Sequence, residues 1–341
     1  MKVHVLGISG TFMSGIAILA KKKGYKVTGS DTSCYDPIKS ILEKEKISVI
    51  KGHKIKDIKD KDLIIIGNVM SRGNPVVEYI LKNNLNYVSG PQWLYENILK
   101  YKKVIAVSGT HGKTTTTAMI VHIMKKNKMN PSYLIGGSPK GNFKSVSLTS
   151  SKYFVIEADE YDTAFFDKRS KFIHYNPFLA VINNIEYDHA DIFENVDEII
   201  KSFSHMIRLI PSDGTMIINK NDQNIKKLLH KGYWSKLRTV DSMKSSGDFN
   251  LIMKKQYMLN FNNKNFLLLT LSIYCFFFIK LKSPEDFTES TVFNFDQYPF
   301  LSNLLILKSF LLTIIVPSDG MSLIIWLNDF IISSIFSNIS A

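Results

Sequence analysis

Apolar and polar positions alternate in short blocks along the first two thirds of the chain. Residues 2–8 form a buried-strand pattern that runs into Gly7, Gly10 and Gly15 and then into a helix-like run, Ile16 to Lys23. A second strand, Tyr25 to Gly29, ends at Ser30 and Asp31, which is the opening of a βαβ unit. Leu63-Ile64-Ile65-Ile66 is a third strand ahead of Gly67-Asn68, so the segment to about Leu99 reads as one small α/β domain. Lys103 to Val107 opens a second domain and leads through a Gly-rich turn into a helix covering Met119 to Met124. Two apolar strands follow, Tyr153 to Ile156 and Leu179 to Ile182, and each ends in polar residues, Glu157 and Asn183-Asn184. Polar groups at strand ends mark the ligand edge of an open parallel sheet. A helix around Val196 to Leu209 and a strand Thr215 to Asn219 carry the pattern to about residue 250.

Beyond residue 263 the pattern breaks. Phe266 to Ile279 is almost wholly apolar, yet it is too short for a membrane helix, which needs about 20 residues. Of the 22 Phe residues, 11 fall in 264–341, a stretch with one Gly and no His. Neither helical nor strand periodicity is clear there, and turn residues are sparse. The expected fold is therefore α/β, with an N-terminal Rossmann-like domain over 1–100 and a P-loop-type ATPase domain over 101–263. The hydrophobic tail, 264–341, reads as an out-of-frame or degenerate remnant of a third domain.

Composition changes this picture little. The 341 residues carry a net charge of +13, but only four of the 43 basic residues are Arg. Arg is the preferred group for bidentate phosphate and base contacts, so nucleic-acid binding is not expected. Cys34 and Cys275 have no metal-ligand spacing. The N-terminus runs as a strand into a Gly turn and lacks a signal-peptide core. A cytoplasmic protein is expected, with no membrane association and no obligate protein partner.

The strongest chemical signal is Gly109-Thr110-His111-Gly112-Lys113-Thr114-Thr115-Thr116 between a strand and a helix. Glycines let backbone N–H groups approach phosphate oxygens, Lys113 brings a charge to the β/γ-phosphates, and the Thr114 hydroxyl suits Mg²⁺. The loop departs from the common spacing, since Val107 stands where the first Gly would be. Glu157-Ala158-Asp159-Glu160 at a strand end can hold a Mg²⁺ that bridges phosphates. His189, in Asn184-Ile185-Glu186-Tyr187-Asp188-His189-Ala190-Asp191, can ligate a metal or orient substrate. The N-terminal Gly loop has the spacing Gly7-x-x-Gly10 and then Gly15, which misses the dinucleotide fingerprint, although Asp31 stands near the position of the acidic ribose-binding residue.

Taken in order, these segments resemble the Mur ligases, which join amino acids or peptides to a UDP-sugar. The family loop Gly-Thr-x-Gly-Lys-Thr-Thr matches residues 109–115, its metal-binding Glu matches Glu157, and its Asn-x-x-x-Asp-His-x-Asp segment matches Asn184, Asp188, His189 and Asp191. Within the family the likeness is closest to the murein peptide ligases. It rests on Gly67 to Pro75, Gly90 to Leu94 and above all Asp162-Thr163-Ala164-Phe165-Phe166-Asp167-Lys168-Arg169-Ser170. The resemblance covers roughly residues 1–250. The third domain's Gly-x-His-Asn-x-x-Asn segment and Arg-rich entry are not found.

The resemblance implies an ATP- and Mg²⁺-dependent ligase that joins L-Ala-γ-D-Glu-meso-diaminopimelate to UDP-N-acetylmuramate. Residues 1–100 would then hold the UDP-sugar and 101–263 the ATP. Lys113, Glu157 and His189 would be catalytic, with Thr114, Glu157 and His189 on the metal. Gly109, Thr110, His111, Gly112, Lys113, Thr114, Thr115 and Asn184 would contact the nucleotide. Gly7, Ser9, Gly10, Met13, Ser14, Asp31, Asn68, Met70, Ser71 and Arg72 would contact the UDP-sugar. No general base for the amine is named, because no Lys stands at the family's spacing after His189. Three other readings stay open: a UDP-N-acetylmuramate–L-alanine ligase, an inactive nucleotide-binding remnant, and an unrelated P-loop ATPase or NAD-dependent protein.

Overall fold

The computed structural model describes residues 1–137, 144–188 and 193–241, and beyond them the backbone of seven strands between 249 and 326. The chain forms two compact units, Met1–Ala106 with Val121–Asn176, and Val107–Ile120 with Pro177–Ala341.

The first unit opens with β1 (Lys2–Leu6), α1 (Thr11–Lys22), β2 (Lys26–Asp31), α2 (Ile38–Lys44), β3 (Ser48–Lys51), β4 (Leu63–Ile66), α3 (Pro75–Lys82), β5 (Tyr87–Ser89) and α4 (Gly90–Asn97). The five strands make a parallel sheet in the order β3-β2-β1-β4-β5. This is the expected Rossmann-like arrangement, and its switch point falls between β1 and β4. Leu6 lies opposite Ser30 on one side and Ile66 on the other, so the loops after β1, β2 and β4 leave the same edge. All of β4 is buried, which is why it is apolar throughout instead of alternating.

Three boundaries differ from the sequence expectation. Strand β1 stops at Leu6 because Gly7 turns the chain at φ +75°. Strand β2 runs on through Ser30 and Asp31, whose backbones pair with Ile50 and Lys51 of β3. Helix α1 begins at Thr11, five residues ahead of Ile16. Gly15 therefore lies inside the helix, where an added Cβ would meet Leu134 Cδ1 at 2.2 Å. Gly15 serves close packing there, not a turn.

The next elements are β6 (Lys103–Ser108), α5 (Lys113–Lys126), β7 (Ser132–Leu134), β8 (Val146–Ser147), β9 (Tyr153–Glu157), β10 (Asp162–Ala164) and β11 (Asp167–Ser170). In the first unit β7 pairs parallel with β9 and antiparallel with β8. Strands β10 and β11 form an antiparallel hairpin. At its tip Phe165 packs on the core of Leu6, Ile66, Met70, Val76 and Ile80, and the Phe166 ring meets Tyr87 edge-on at 5.0 Å.

The second unit continues with β12 (Leu179–Ile182), α6 (Val196–Arg208), β13 (Thr215–Asn219), α7 (Gln223–Leu229) and β14 (Lys236–Asp241), with β12, β13 and β14 parallel. Strand β15 (Phe249–Ile252) adds to β14 in parallel, and β16 (Met258–Phe261) and β17 (Lys264–Leu267) follow antiparallel. Strands β18 (Leu269–Ser272) and β19 (Phe276–Lys280) pair antiparallel with β20 (Leu311–Ile314) and β21 (Ser322–Trp326). The apolar run Phe266 to Ile279 thus falls largely in strands. With nearly every position apolar, a period of two leaves no trace in the sequence. Among the described residues no helix is long and apolar enough to cross a membrane.

Candidate active site

Strand β6 delivers the candidate phosphate loop. It ends at Ser108, whose hydroxyl donates to Val181 O (3.0 Å) and whose carbonyl accepts from Asn183 N (3.0 Å). The chain then turns through Gly109 at φ +128° and Gly112 at φ +80°, and α5 starts at Lys113. A Cβ at Gly109 would lie 3.0 Å from both Asn183 Cβ and Asn184 O, so this position needs glycine for conformation and for space.

The segment after β12 holds the loop in place. Thr110 N donates to Asn184 O (3.1 Å) and His111 N to Asn184 Oδ1 (2.9 Å). The Thr110 hydroxyl donates to Glu186 O (3.2 Å) and accepts from Glu186 N (2.8 Å). Asn183 Nδ2 donates to His111 O and to Thr116 Oγ1. Asn184 is buried, and its Nδ2 has no partner among the described residues. The Lys113 ammonium lies over its own loop, donating to Gly109 O (2.8 Å) and Thr110 O (3.3 Å). His111 faces Glu186 Oε2 at 3.7 Å and Asp188 Oδ2 at 4.0 Å. Thr114 and Thr115, on the first turn of α5, are half-buried. His189 and Asp191 lie outside the described residues.

Two further residues brace this arrangement without any signal in the sequence. Asp222 caps α7 through Asn224 N and Ile225 N with one oxygen, and with the other it accepts from Ile185 N (3.0 Å). Asn224 Nδ2 donates to Ile185 O (2.7 Å). The loop is thus tied to Asn184, and the residue after Asn184 is tied to the start of α7.

In the first unit, Glu157 stands at the end of β9. Its Oε1 accepts from Gly136 N (2.6 Å), and a Cβ at Gly136 would meet its Oε2 at 2.8 Å. Gly136 is a third residue that motif reading missed, since it makes room for the carboxylate. Tyr175 is fully buried and its hydroxyl has no partner among the described residues. Burial, with the charges of Asp159 and Glu157, pushes that hydroxyl well above the usual phenol range. Carboxylate and hydroxyl oxygens are the hard donors that suit Mg²⁺. Among the described residues, no group of three His, Cys, Asp or Glu is placed to hold a metal.

The N-terminal loop sits at the switch point of the five-stranded sheet. Gly7 N and Ile8 N donate to Ser30 O (3.0 and 3.3 Å), and Ser9 N donates to Asp31 Oδ2 (2.9 Å). Helix α1 follows from Gly10 without a side-chain cap, and Ser14 hydroxyl donates to Thr11 O. A Cβ at Gly7 would strike Val69 Cγ2 at 2.6 Å, so the loop after β1 lies against the loop after β4. Asn68, Ser71 and Arg72 are exposed there. Arg72 is bound to Glu78 through two nitrogens (2.9 and 3.1 Å). Met13 and Met70 are core residues, 5% and 3% exposed.

Residues 2–102 match the description "Mur ligase family, catalytic domain" and residues 107–281 match "Mur ligase middle domain". The UDP-N-acetylmuramate--L-alanyl-gamma-D-glutamyl-meso-2,6-diaminoheptandioate ligase of Haemophilus influenzae is 52% identical over 235 residues, 68% of this chain and 52% of the relative. The Escherichia coli protein of the same name is 50% identical over 242 residues, 70% of this chain and 53% of the relative. The crystal structure of the corresponding ligase (MPL) from Neisseria meningitides superposes with a TM-score of 0.70 at 40% identity, covering 77% of this chain and 85% of that one. The chain belongs to the Mur ligase family. It spans about half the length of the curated relatives it matches. Mur ligases are in general ATP- and Mg²⁺-dependent. In this Mur ligase the middle-domain match runs on past residue 263, through β17, β18 and β19.

Proposed function

We propose that this Mur ligase chain binds ATP and UDP-N-acetylmuramate and acts in joining the sugar to L-Ala-γ-D-Glu-meso-diaminopimelate, in the cytoplasm. The observation that carries the reading is the loop Gly109–Lys113, held open on Asn183 and Asn184 with Lys113 at its mouth. Thr110 N and His111 N are committed to Asn184, so phosphates would meet the N–H groups at the start of α5. Gly109 and Gly112 keep that approach open, and Lys113 would leave its loop carbonyls for the β/γ-phosphates. The uncapped start of α1 and the loops after β1 and β4 would receive the UDP-sugar.

The chemistry is phosphoryl transfer followed by acyl transfer. The lactyl carboxylate of the sugar attacks the γ-phosphate, ADP leaves, and an acyl phosphate forms. The peptide amine then attacks the acyl carbon and phosphate leaves. The first step needs mainly positioning and charge neutralisation, which Lys113 supplies. Thr114, Glu157 and His189 would be the residues to hold Mg²⁺, which would supply charge neutralisation for the phosphoryl transfer. The tripeptide is favoured over L-alanine as the acceptor by the identities. The two tripeptide-named ligases are 52% and 50% identical, whereas the UDP-N-acetylmuramate--L-alanine ligase of Clostridium tetani is 39%.

The test is ADP release with UDP-N-acetylmuramate, with tripeptide, with L-alanine or with neither. Release that rises only with tripeptide supports the reading. Release stimulated by L-alanine supports the rival ligase. ATP and sugar binding without peptide-dependent release would mark an inactive nucleotide-binding chain.

A further inference from the structure

A chain of polar side chains runs along one face of the five-stranded sheet and ends beside the first glycine loop. His4, in the middle of β1, is fully buried. Its Nδ1 lies 2.9 Å from Thr28 Oγ1 and its Nε2 3.0 Å from Ser30 Oγ, both on β2. Ser30 Oγ lies in turn 2.9 Å from His53 Nδ1. Ser30 is also the residue whose carbonyl fastens Gly7 N and Ile8 N. His53 stands just past β3, where Lys51 pairs with Asp31 and Gly52 N donates to Asp31 O. It therefore sits at the edge from which the loops after β1 and β2 leave. Its ring is half-buried, and its Nε2 makes no hydrogen bond among the described residues.

Burial holds both rings below the ordinary histidine range, His4 at about 4 and His53 against the opposing charge of Asp31, so both are neutral at neutral pH. A neutral imidazole carries one N–H and one acceptor nitrogen, and Ser30 has one hydroxyl proton. Ser30 thus donates to one ring and accepts from the other. The chain can run in two directions. In the first, Thr28 donates to His4 Nδ1, His4 Nε2 donates to Ser30 Oγ, and Ser30 donates to His53 Nδ1. That direction leaves an N–H on His53 Nε2, whereas the reverse leaves a bare nitrogen there. The first puts both rings in the Nε2–H form, the intrinsically preferred tautomer of a neutral histidine side chain. It also sets the outer N–H in the field of the Asp31 carboxylate, where its positive end is favoured.

We propose that Thr28, His4 and Ser30 are positioning residues that hold His53 as its Nε2–H tautomer, and that this N–H binds an acceptor oxygen on the nucleotide part of the UDP-sugar. The proposal rests on the reading that the first loop takes that sugar. Asp31 only accepts and His53 Nε2–H only donates, so together they match a ligand that carries hydroxyl donors next to carbonyl or ether oxygens.

The test reads the tautomers from the long-range nitrogen–proton NMR spectrum of the histidine rings in the full chain, then the affinity for UDP-N-acetylmuramate by calorimetry. His53 should show a protonated Nε2 and a bare Nδ1, its peaks being those lost in His53→Phe. Ser30→Ala should mix the two His53 tautomers and weaken sugar binding by about twofold to threefold, less than a whole hydrogen bond. His53→Phe should weaken binding about fivefold, and His53→Gln, whose amide also donates, should stay within about twofold of wild type. A merely structural role for Ser30 would leave the His53 tautomer single in Ser30→Ala. A protonated Nδ1 on wild-type His53, an unmixed tautomer in Ser30→Ala or full sugar affinity in His53→Phe overturns the proposal. Should Ser30→Ala fail to fold, the wild-type spectrum and His53→Phe decide. A wild-type chain that binds no UDP-N-acetylmuramate removes the first-loop reading and the ligand half of this proposal with it, whereas binding without the His53 effects removes this proposal alone.

Discussion

The two glycine loops of this chain share a plan and differ in what holds them. Each leaves a parallel strand, turns through a glycine at positive φ and enters a helix. The loop after β1 is fastened by its neighbour strand: Ser30 O takes Gly7 N and Ile8 N, and Asp31 takes Ser9 N. The loop after β6 is fastened by side chains and backbone from the segment after β12, about 73 residues later in sequence. The first presents a carboxylate and no cation, while the second presents Lys113. A site that ends in an acid suits sugar hydroxyls, and one that ends in a lysine suits phosphate oxygens. The same backbone device would therefore serve two ligand chemistries, according to which side chain closes it.

The sharpest break of this contrast is Lys113→Ala. Loss of the only lysine in the second loop should lower peptide-dependent ADP release by about 10²–10³-fold or more, measured with a coupled assay. Activity that survives would place the triphosphate elsewhere. UDP-sugar binding at the first loop should persist in this variant.

Next in size is a pH effect that arises in β1, the strand leading into the first loop. His4 is buried, with Nδ1 2.9 Å from Thr28 Oγ1 and Nε2 3.0 Å from Ser30 Oγ, and Ser30 Oγ lies 2.9 Å from His53 Nδ1. Burial lowers the His4 pKa from 6.5 to about 4, helped by Lys61 and His53 and opposed by Asp57 and Asp60. The unfolded chain then binds a proton between these values that the folded chain refuses. Stability from this source is full above pH 6.5 and falls by about 3 kcal/mol as pH drops toward 4. Urea unfolding between pH 7 and 4 should show that slope, and His4→Gln should flatten it. An unchanged slope in His4→Gln would refute the linkage.

A third test compares one methyl group in each loop. Gly109→Ala forces a side chain into φ +128° against Asn183 and Asn184, a cost of about 1–3 kcal/mol in stability. Gly10→Ala meets nothing closer than 4.0 Å at φ −67° and should melt within about a degree of wild type, as ordinary surface changes do. Equal effects on melting temperature would erase the structural difference between the loops. The smallest expected effect is Asn184→Ala, which removes the acceptor of His111 N. ATP affinity should fall by roughly fivefold, the value of about 1 kcal/mol, read by calorimetry.

Much of this was legible in the residues. The strand pattern gave β4 and β12 to the residue, because a fully buried strand is apolar along its whole length, and β13, because its buried Met216 to Ile218 is bounded by the half-buried polar Thr215 and Asn219. Gly109–Lys113 was legible because a turn with close backbone approach restricts both residue type and spacing. The start of α1 was misread because Gly10 and Gly15 look like one turn, although Gly15 answers to Leu134, far along the chain. Gly136, Asp222 and Asn224 carry no motif, since their partners are defined only in space.

By itself the sequence determined the α/β class, the two glycine loops and the acids at strand ends, because these follow from local conformation and the periodicity of burial. The tertiary structure alone decided which donors each loop keeps for a ligand. Asn184 takes two N–H groups of the phosphate loop, and Ser30 and Asp31 take three of the first loop. A hydrogen bond or ion pair is fixed by distances of about 3 Å between groups whose separation along the chain is arbitrary.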